Sequence, residues 1–140
     1  MKNQDFNILV TDDNKETLRM IALILLSEGY MLALAQNGEN ALKIIEENEI
    51  DLILLDIQMP GSLNGFDVCR RLKSNRKTKN IPVIFLSAQT DTKNTVKGFK
   101  AGGVDFITKP VHKEELLARV NTQVKLKSFT DELNNRVNYR

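Results

Sequence analysis

Short apolar runs alternate along this chain with stretches of helical period, and that alternation limits the possible folds more than any single motif does. The runs are Phe6 to Val10, Tyr30 to Ala35, Asp51 to Leu55, Pro82 to Leu86 and Val104 to Thr108. Each is too short for a helix. Between them Leu18, Ile21, Ala22 and Leu25 recur at helical spacing, as do Ala41, Leu42, Ile44 and Ile45, then Phe66, Cys69 and Leu72, so each set forms one buried helix face. Short strands separated by amphipathic helices are the pattern of βα units on a parallel sheet covered on both faces. The first, third and fourth runs are rich in Ile, Leu and Val and are expected to be the most buried.

The punctuation agrees. Gly29 lies where the first helix should stop in a left-handed turn, Asn37-Gly38 separates the second strand from its helix, and Gly102-Gly103 ends the fourth helix. A parallel sheet with right-handed crossovers is the economical topology, and open α/β sheets place their sites at the carboxyl ends of strands. From about Lys113 to Val124, the residues Leu116, Leu117, Val120 and Val124 describe a fifth helix that completes the fold. Apolar spacing continues through Leu126, Phe129, Leu133 and Val137, compatible either with the same helix running on or with a polar tail. We therefore place one domain at 1–127 and a C-terminal helical extension or linker at 128–140.

Composition narrows the chemistry. A length of 140 residues suits one core. Twenty Lys and Arg against 18 Asp and Glu give a charge of +2, too balanced to draw the chain onto nucleic acid or an anionic membrane by field alone. No apolar run approaches the ~18 to 20 residues of a spanning helix, and the polar start lacks a secretory signal, so the expected location is cytoplasmic. One cysteine, Cys69, and one histidine, His112, exclude an internal disulfide and leave few ligands for a transition metal. Any metal must be held by carboxylates.

Three acids stand at two strand ends. Asp12 and Asp13 follow the run Ile8-Leu9-Val10, and Asp56 follows Leu52-Ile53-Leu54-Leu55. In a parallel sheet these ends share one edge, so the carboxylates converge and repel. Either one takes up a proton at a raised pKa or a hard divalent ion with oxygen ligands intervenes, and magnesium is the natural candidate. The plainer alternative is helix capping by Asp12, Asp13 or Asn14. Lys109, after Val104 to Thr108, and Ser87, at the end of the fourth strand, reach the same edge, and a cis Lys109-Pro110 bond would aim the ammonium into the crevice. A carboxylate nucleophile, a metal pair, a point cation and a hydroxyl together suit acceptance of a phosphoryl group. No general base for an organic substrate is apparent.

These residues resemble the receiver domain of two-component response regulators. The resemblance covers roughly residues 5 to 125 and is carried, in family order, by Asp12-Asp13, Leu54-Leu55-Asp56-Ile57-Gln58-Met59-Pro60, Asn64-Gly65-Phe66, Ser87-Ala88, Phe106 and Lys109-Pro110. It implies a doubly wound, five-stranded parallel sheet of flavodoxin-like order 2-1-3-4-5 with helices on both faces. It implies Asp56 as the phosphoacceptor, charged by a phosphohistidine on a histidine kinase or histidine phosphotransfer protein. Mg²⁺ would be held by Asp13, Asp56 and the backbone carbonyl of Gln58, with Asp12 joining mainly through water. Lys109 and Ser87 would contact the phosphoryl group, Ser87 and Phe106 would form the switch, and Gln58 and Gln89 fill the two positions that tune hydrolysis. Phosphorylation would favour a homodimer, with no direct contact to nucleic acid or membrane. The stretch Pro60-Gly61-Ser62-Leu63-Asn64-Gly65 is one residue longer than the commonest family spacing.

Other features take plainer readings. Arg70, Arg71, Lys73, Arg76, Lys77 and Lys79 cluster at the end of the third helix, where basic residues are favoured and solvated. Cys69 reads as core and His112 as the start of the last helix. A haloacid-dehalogenase-like phosphohydrolase wants a second Asp two residues after the nucleophile, where Gln58 stands. A flavodoxin-like cofactor carrier wants a phosphate-cradling loop where Asp12-Asp13 would repel phosphate. An interaction domain that never meets phosphate is the remaining alternative, so the expectation is a signalling module that catalyses only its own phosphorylation and dephosphorylation.

Overall fold

Five parallel strands pair in the order β2-β1-β3-β4-β5 in the computed structural model, which describes residues 2–88 and 92–138, with side chains through residue 133. They are β1 Asn7–Thr11, β2 Met31–Ala35, β3 Leu52–Asp56, β4 Val83–Ser87 and β5 Asp105–Thr108. Helices α1 Lys15–Ser27, α2 Gly38–Glu47, α3 Gly65–Lys73, α4 Thr92–Ala101 and α5 Lys113–Asn138 alternate with them.

The apolar runs report burial rather than hydrogen bonding, and the two differ at the strand ends. The run at Phe6 begins before β1, because Phe6 N–H closes a short 3₁₀ turn onto the Asn3 carbonyl at 2.9 Å. Asp56, just past the third apolar run, is the last residue of β3 and pairs with Leu86. Thr11 likewise extends β1 by one residue and pairs with Ala35 and Leu55. In β3 and β4 every residue is buried, whereas the edge strand β2 buries only Ala35.

Two apolar layers sandwich the sheet. Leu18, Ile21 and Leu25 of α1 and Leu116 and Val120 of α5 cover one face, meeting Ile8, Val10, Leu54 and Ile84. Ala41 and Ile45 of α2 and Phe66, Cys69 and Leu72 of α3 cover the other, meeting Leu9, Ile53, Leu55 and Phe85. Cys69 is core, its thiol donating to the Ala101 carbonyl at 3.3 Å.

Three helices start on asparagine. Asn14, Asn37 and Asn64 each accept from the backbone N–H three residues on, at 3.0, 2.8 and 2.9 Å. Helix α5 starts after His112, whose carbonyl takes the Leu116 N–H at 2.9 Å. It then runs unbroken to Asn138, crossing 127/128 without interruption. Leu116 and Val120 are buried, Val124 is half-buried, and Leu126, Phe129 and Leu133 are exposed, so packing on the sheet stops before the helix does. Ties along α5 are Arg119 to Asp105, Asn121 to the Tyr30 hydroxyl at 2.7 Å and Lys127 to Asp51 at 3.4 Å.

Candidate functional site

Because all five strands run the same way, β1, β3, β4 and β5 end on one edge, where a crevice of about 480 Å³ opens. Its walls include Asp13, Asn14, Asp56, Gln58, Ser87 and Lys109. The expected acids do meet there: Asp12, Asp13 and Asp56 each place a carboxylate oxygen within 4.8 Å of the others.

Local hydrogen bonding separates the roles of the adjacent pair. Asn14 caps α1, and its own N–H donates to Asp12 Oδ1 at 2.9 Å, so the acceptor of the cap is neither Asp12 nor Asp13. Asp12 is fully buried and turned to Lys109, whose Nζ lies 2.8 Å from its Oδ2. Asp13 is exposed on the crevice wall. Asp56 is 4% exposed as a residue, keeps its carboxylate on the crevice and lies 3.2 Å from the same Nζ.

One lysine thus faces three acids, and the charge does not balance. Burial first, then the Asp12 charge, push the Asp56 carboxyl up to about 7 against the opposing pull of Lys109, and a hydrogen bond with Asp13 adds to the rise. Burial acts to lower the Lys109 pKa, but Asp12 and Asp56 outweigh it and the ammonium is held above its usual range. Three acids around one pinned ammonium leave the cluster short of positive charge. Its donors are hard oxygens, which fits a divalent cation of the magnesium type.

The backbone around Asp56 is shaped for access. A side chain on Gly65 would collide with the Asp56 carbonyl oxygen and sit 2.9 Å from Ile57 Cα, so only glycine lets α3 begin against the loop after β3. The Gln58 side chain is exposed and its N–H points to Asp56 Oδ1 at 3.3 Å. The lengthened segment from Pro60 is docked onto α2: Leu63 is buried and Ser62 Oγ donates to Glu39 Oε1 at 2.9 Å. Lys109-Pro110 is cis, and the Lys109 N–H donates to the Ser87 carbonyl at 2.8 Å.

Phe106 lies outside the crevice. Its ring packs against Phe85 at 5.5 Å between centroids and against Phe99 at 5.3 Å. Gln89 lies outside the described residues. Asn94, half-buried in the first turn of α4, also lines the crevice, a residue outside the set that the strand ends mark. Nothing in apolar spacing marks it, although a polar residue in the first turn of a helix that follows a site strand is a usable signal. The basic cluster of α3 is partly internal, since Lys73 Nζ donates to the carbonyls of Lys79 and Ile81.

Strand order and the acidic edge define a doubly wound α/β protein with its charged crevice where the chain direction across the sheet reverses. Within that class the chain belongs to the response regulator receiver domain family, which it matches over residues 8–121, and it is a receiver domain of two-component signalling. It is 38% identical over 129 residues to the response regulator PleD of Caulobacter vibrioides, covering 92% of this chain and 28% of PleD. It is 39% identical over 118 residues to the DNA-binding response regulator MtrA of Mycobacterium tuberculosis, covering 84% of this chain and 50% of MtrA. The chain therefore spans half or less of these relatives. The receiver domain of the Francisella response regulator 1452 superposes with a TM-score of 0.79 at 36% identity, over 86% of this chain and 98% of that one. Among the described residues no helix is long and apolar enough to cross a membrane.

Proposed function

We propose that Asp56 is the phosphoacceptor of a two-component or phosphorelay pathway, charged by a phosphohistidine on a histidine kinase or histidine phosphotransfer protein. The observation that carries this reading is the contrast among the three acids: Asp56 alone both opens on the crevice and touches Lys109. Asp12 also touches Lys109 but is fully buried and committed to the Asn14 N–H. Asp13 opens on the crevice without a lysine contact.

In the transfer, a carboxylate oxygen of Asp56 forms the new O–P bond while the P–N bond of phosphohistidine breaks and the imidazole leaves. Asp56 must be ionised to attack, and Lys109 favours that form. As phosphoryl charge arrives, the Lys109 ammonium is placed to pair with it, and the Ser87 hydroxyl at the end of β4 is placed to donate to another oxygen. Mg²⁺ would be held by Asp13, Asp56 and the Gln58 carbonyl, with Asp12 joining mainly through water, and would supply charge stabilisation at the transferring group. Gln58 and Gln89 are neutral amides, able to orient water but not to act as bases, and the domain's catalysis is confined to its own phosphorylation and dephosphorylation.

The output follows from the same group. A dianion beside Ser87 and Lys109 draws the hydroxyl toward it, and Phe106 takes up the vacated space, changing the face of α4, β5 and α5. Val96, Phe99 and Val104 stand 45%, 50% and 43% exposed there, an apolar face suited to a second copy of the domain. We place this module in the cytoplasm, where its phosphodonors act. The decisive experiment incubates the protein with acetyl phosphate and Mg²⁺ and weighs it intact. One phosphoryl group adds to the wild type and none to Asp56→Asn; an equal yield on the variant would falsify the assignment.

A further inference from the structure

Helix α4 breaks a local rule near its centre, because glycine is among the poorest helix formers and yet Gly98 is buried inside it. The turn that ends the helix does not explain this, since its left-handed glycine is Gly102, with φ +110°. The neighbouring rings do. A β-carbon on Gly98 would collide with Cζ of Phe106, and it would lie 3.2 Å from Phe106 Cε1 and 3.1 Å from Phe85 Cδ2. Two aromatic edges fill the volume that a methyl group would take.

Phe106 stands between two unlike rings. Phe85 on one side is fully buried, and Phe99 on the other is half-exposed. The backbone of α4 at Gly98 forms the third wall. That wall is fixed, because the Gly103 N–H donates to the Gly98 carbonyl at 3.0 Å and Gly103 itself is pressed on Phe85, where a β-carbon would collide with Cε2. If the seat is filled, the ring has to move rather than the helix.

We infer that Gly98 is a positioning residue for Phe106: the absent β-carbon creates the inward seat of the ring, and filling it turns the ring out toward Phe99. This inference deepens the proposed phosphoryl switch and rests on that reading for its functional consequence. If the inward ring and an occupied phosphoryl site favour one another, the coupling is reciprocal, and whatever evicts the ring weakens occupancy of the site.

The test is a double-mutant cycle with a second, functional arm. Urea unfolding is measured for the wild type, Gly98→Ala, Phe106→Leu and the double variant. Leucine lacks the Cε and Cζ atoms that occupy the seat. Gly98→Ala is expected to lower the unfolding midpoint when Phe106 is present and to lower it clearly less in the Phe106→Leu background, where only the tight approach to Phe85 opposes the better helix propensity of alanine. The same shift in both backgrounds overturns the inference, whatever the folding yield of the single variant. Nuclear Overhauser contacts between the Phe106 and Phe85 rings should be strong in the wild type and lost in Gly98→Ala. In the functional arm, beryllofluoride with Mg²⁺ is titrated as the phosphoryl mimic. Binding roughly fivefold weaker or more in Gly98→Ala supports the coupling. Equal binding in both overturns it and leaves the phosphoryl assignment intact, whereas no binding by the wild type overturns the phosphoryl assignment and leaves the seat to be judged by the cycle.

Discussion

Asp12 and Asp56 share one ammonium group, yet burial and hydrogen bonding give them different chemistry. Asp12 has both oxygens engaged, Oδ1 by the Asn14 N–H and Oδ2 by the Lys109 ammonium, so its orientation is a fixed part of the site. Asp56 has its pKa pushed up to about 7 by burial and by the Asp12 charge, from an ordinary value of 3.8. For an acid raised in this way the folded state binds the proton more tightly than the unfolded state. The resulting stabilisation is complete below the unfolded pKa and is lost as pH rises through about 7. In the absence of divalent ions, Asp56→Asn should therefore raise the melting temperature at pH 8 and leave it nearly unchanged at pH 4. A shift of equal size at both pH values would contradict the linkage. Asp13 is the sharper probe of the metal, because replacing it spares the nucleophile. Calorimetric titration should show Mg²⁺ binding at least ~10-fold weaker in Asp13→Asn, and equal affinity would remove Asp13 from the ligand set.

Elements differ in how openly the chain declares them. The β1, β3 and β4 runs are legible because strands buried on both faces must be apolar throughout, as Leu52 to Leu55 and Val83 to Leu86 are. Their ends are less so, since Asp56 completes β3 through a hydrogen-bonded pairing that apolarity does not register. The acids, Ser87 and Lys109 could be brought together on paper because parallel strands end on one edge. Asn94 and Gly98 could not, because their importance comes from what α4 faces across space. Helix α5 continues its spacing through Leu126, Phe129 and Leu133, and the structure makes that stretch helical, although those side chains are exposed. Packing on the sheet ends before Lys127, which pairs with Asp51. A chain ending at Lys127 should thus keep the fold and melt within a few degrees of the full chain, a loss of no more than ~1 kcal/mol. Collapse of its circular dichroism signal would show that residues 128–140 belong to the domain.

For the molecule as a whole, the crevice and the apolar face of α4, β5 and α5 are linked through β5, which carries Asp105 and Phe106 and ends at Thr108, next to Lys109. Sedimentation with beryllofluoride and Mg²⁺ should convert monomer to dimer through the face bearing Val96, Phe99 and Val104. A monomer that persists at high concentration with the site occupied would leave a different protein as the output partner. The ties along α5 bear on how such a change travels. Arg119 holds Asp105, the first residue of β5, at 2.8 Å, and Lys127 meets Asp51, just before β3, at 3.4 Å. At ~1.5 Å per residue, the Lys127 contact divides the helix beyond Arg119 into arms of roughly 12 and 17 Å. A displacement of α5 at Arg119 that pivoted on that contact would emerge at Asn138 reversed in direction and enlarged about 1.4-fold.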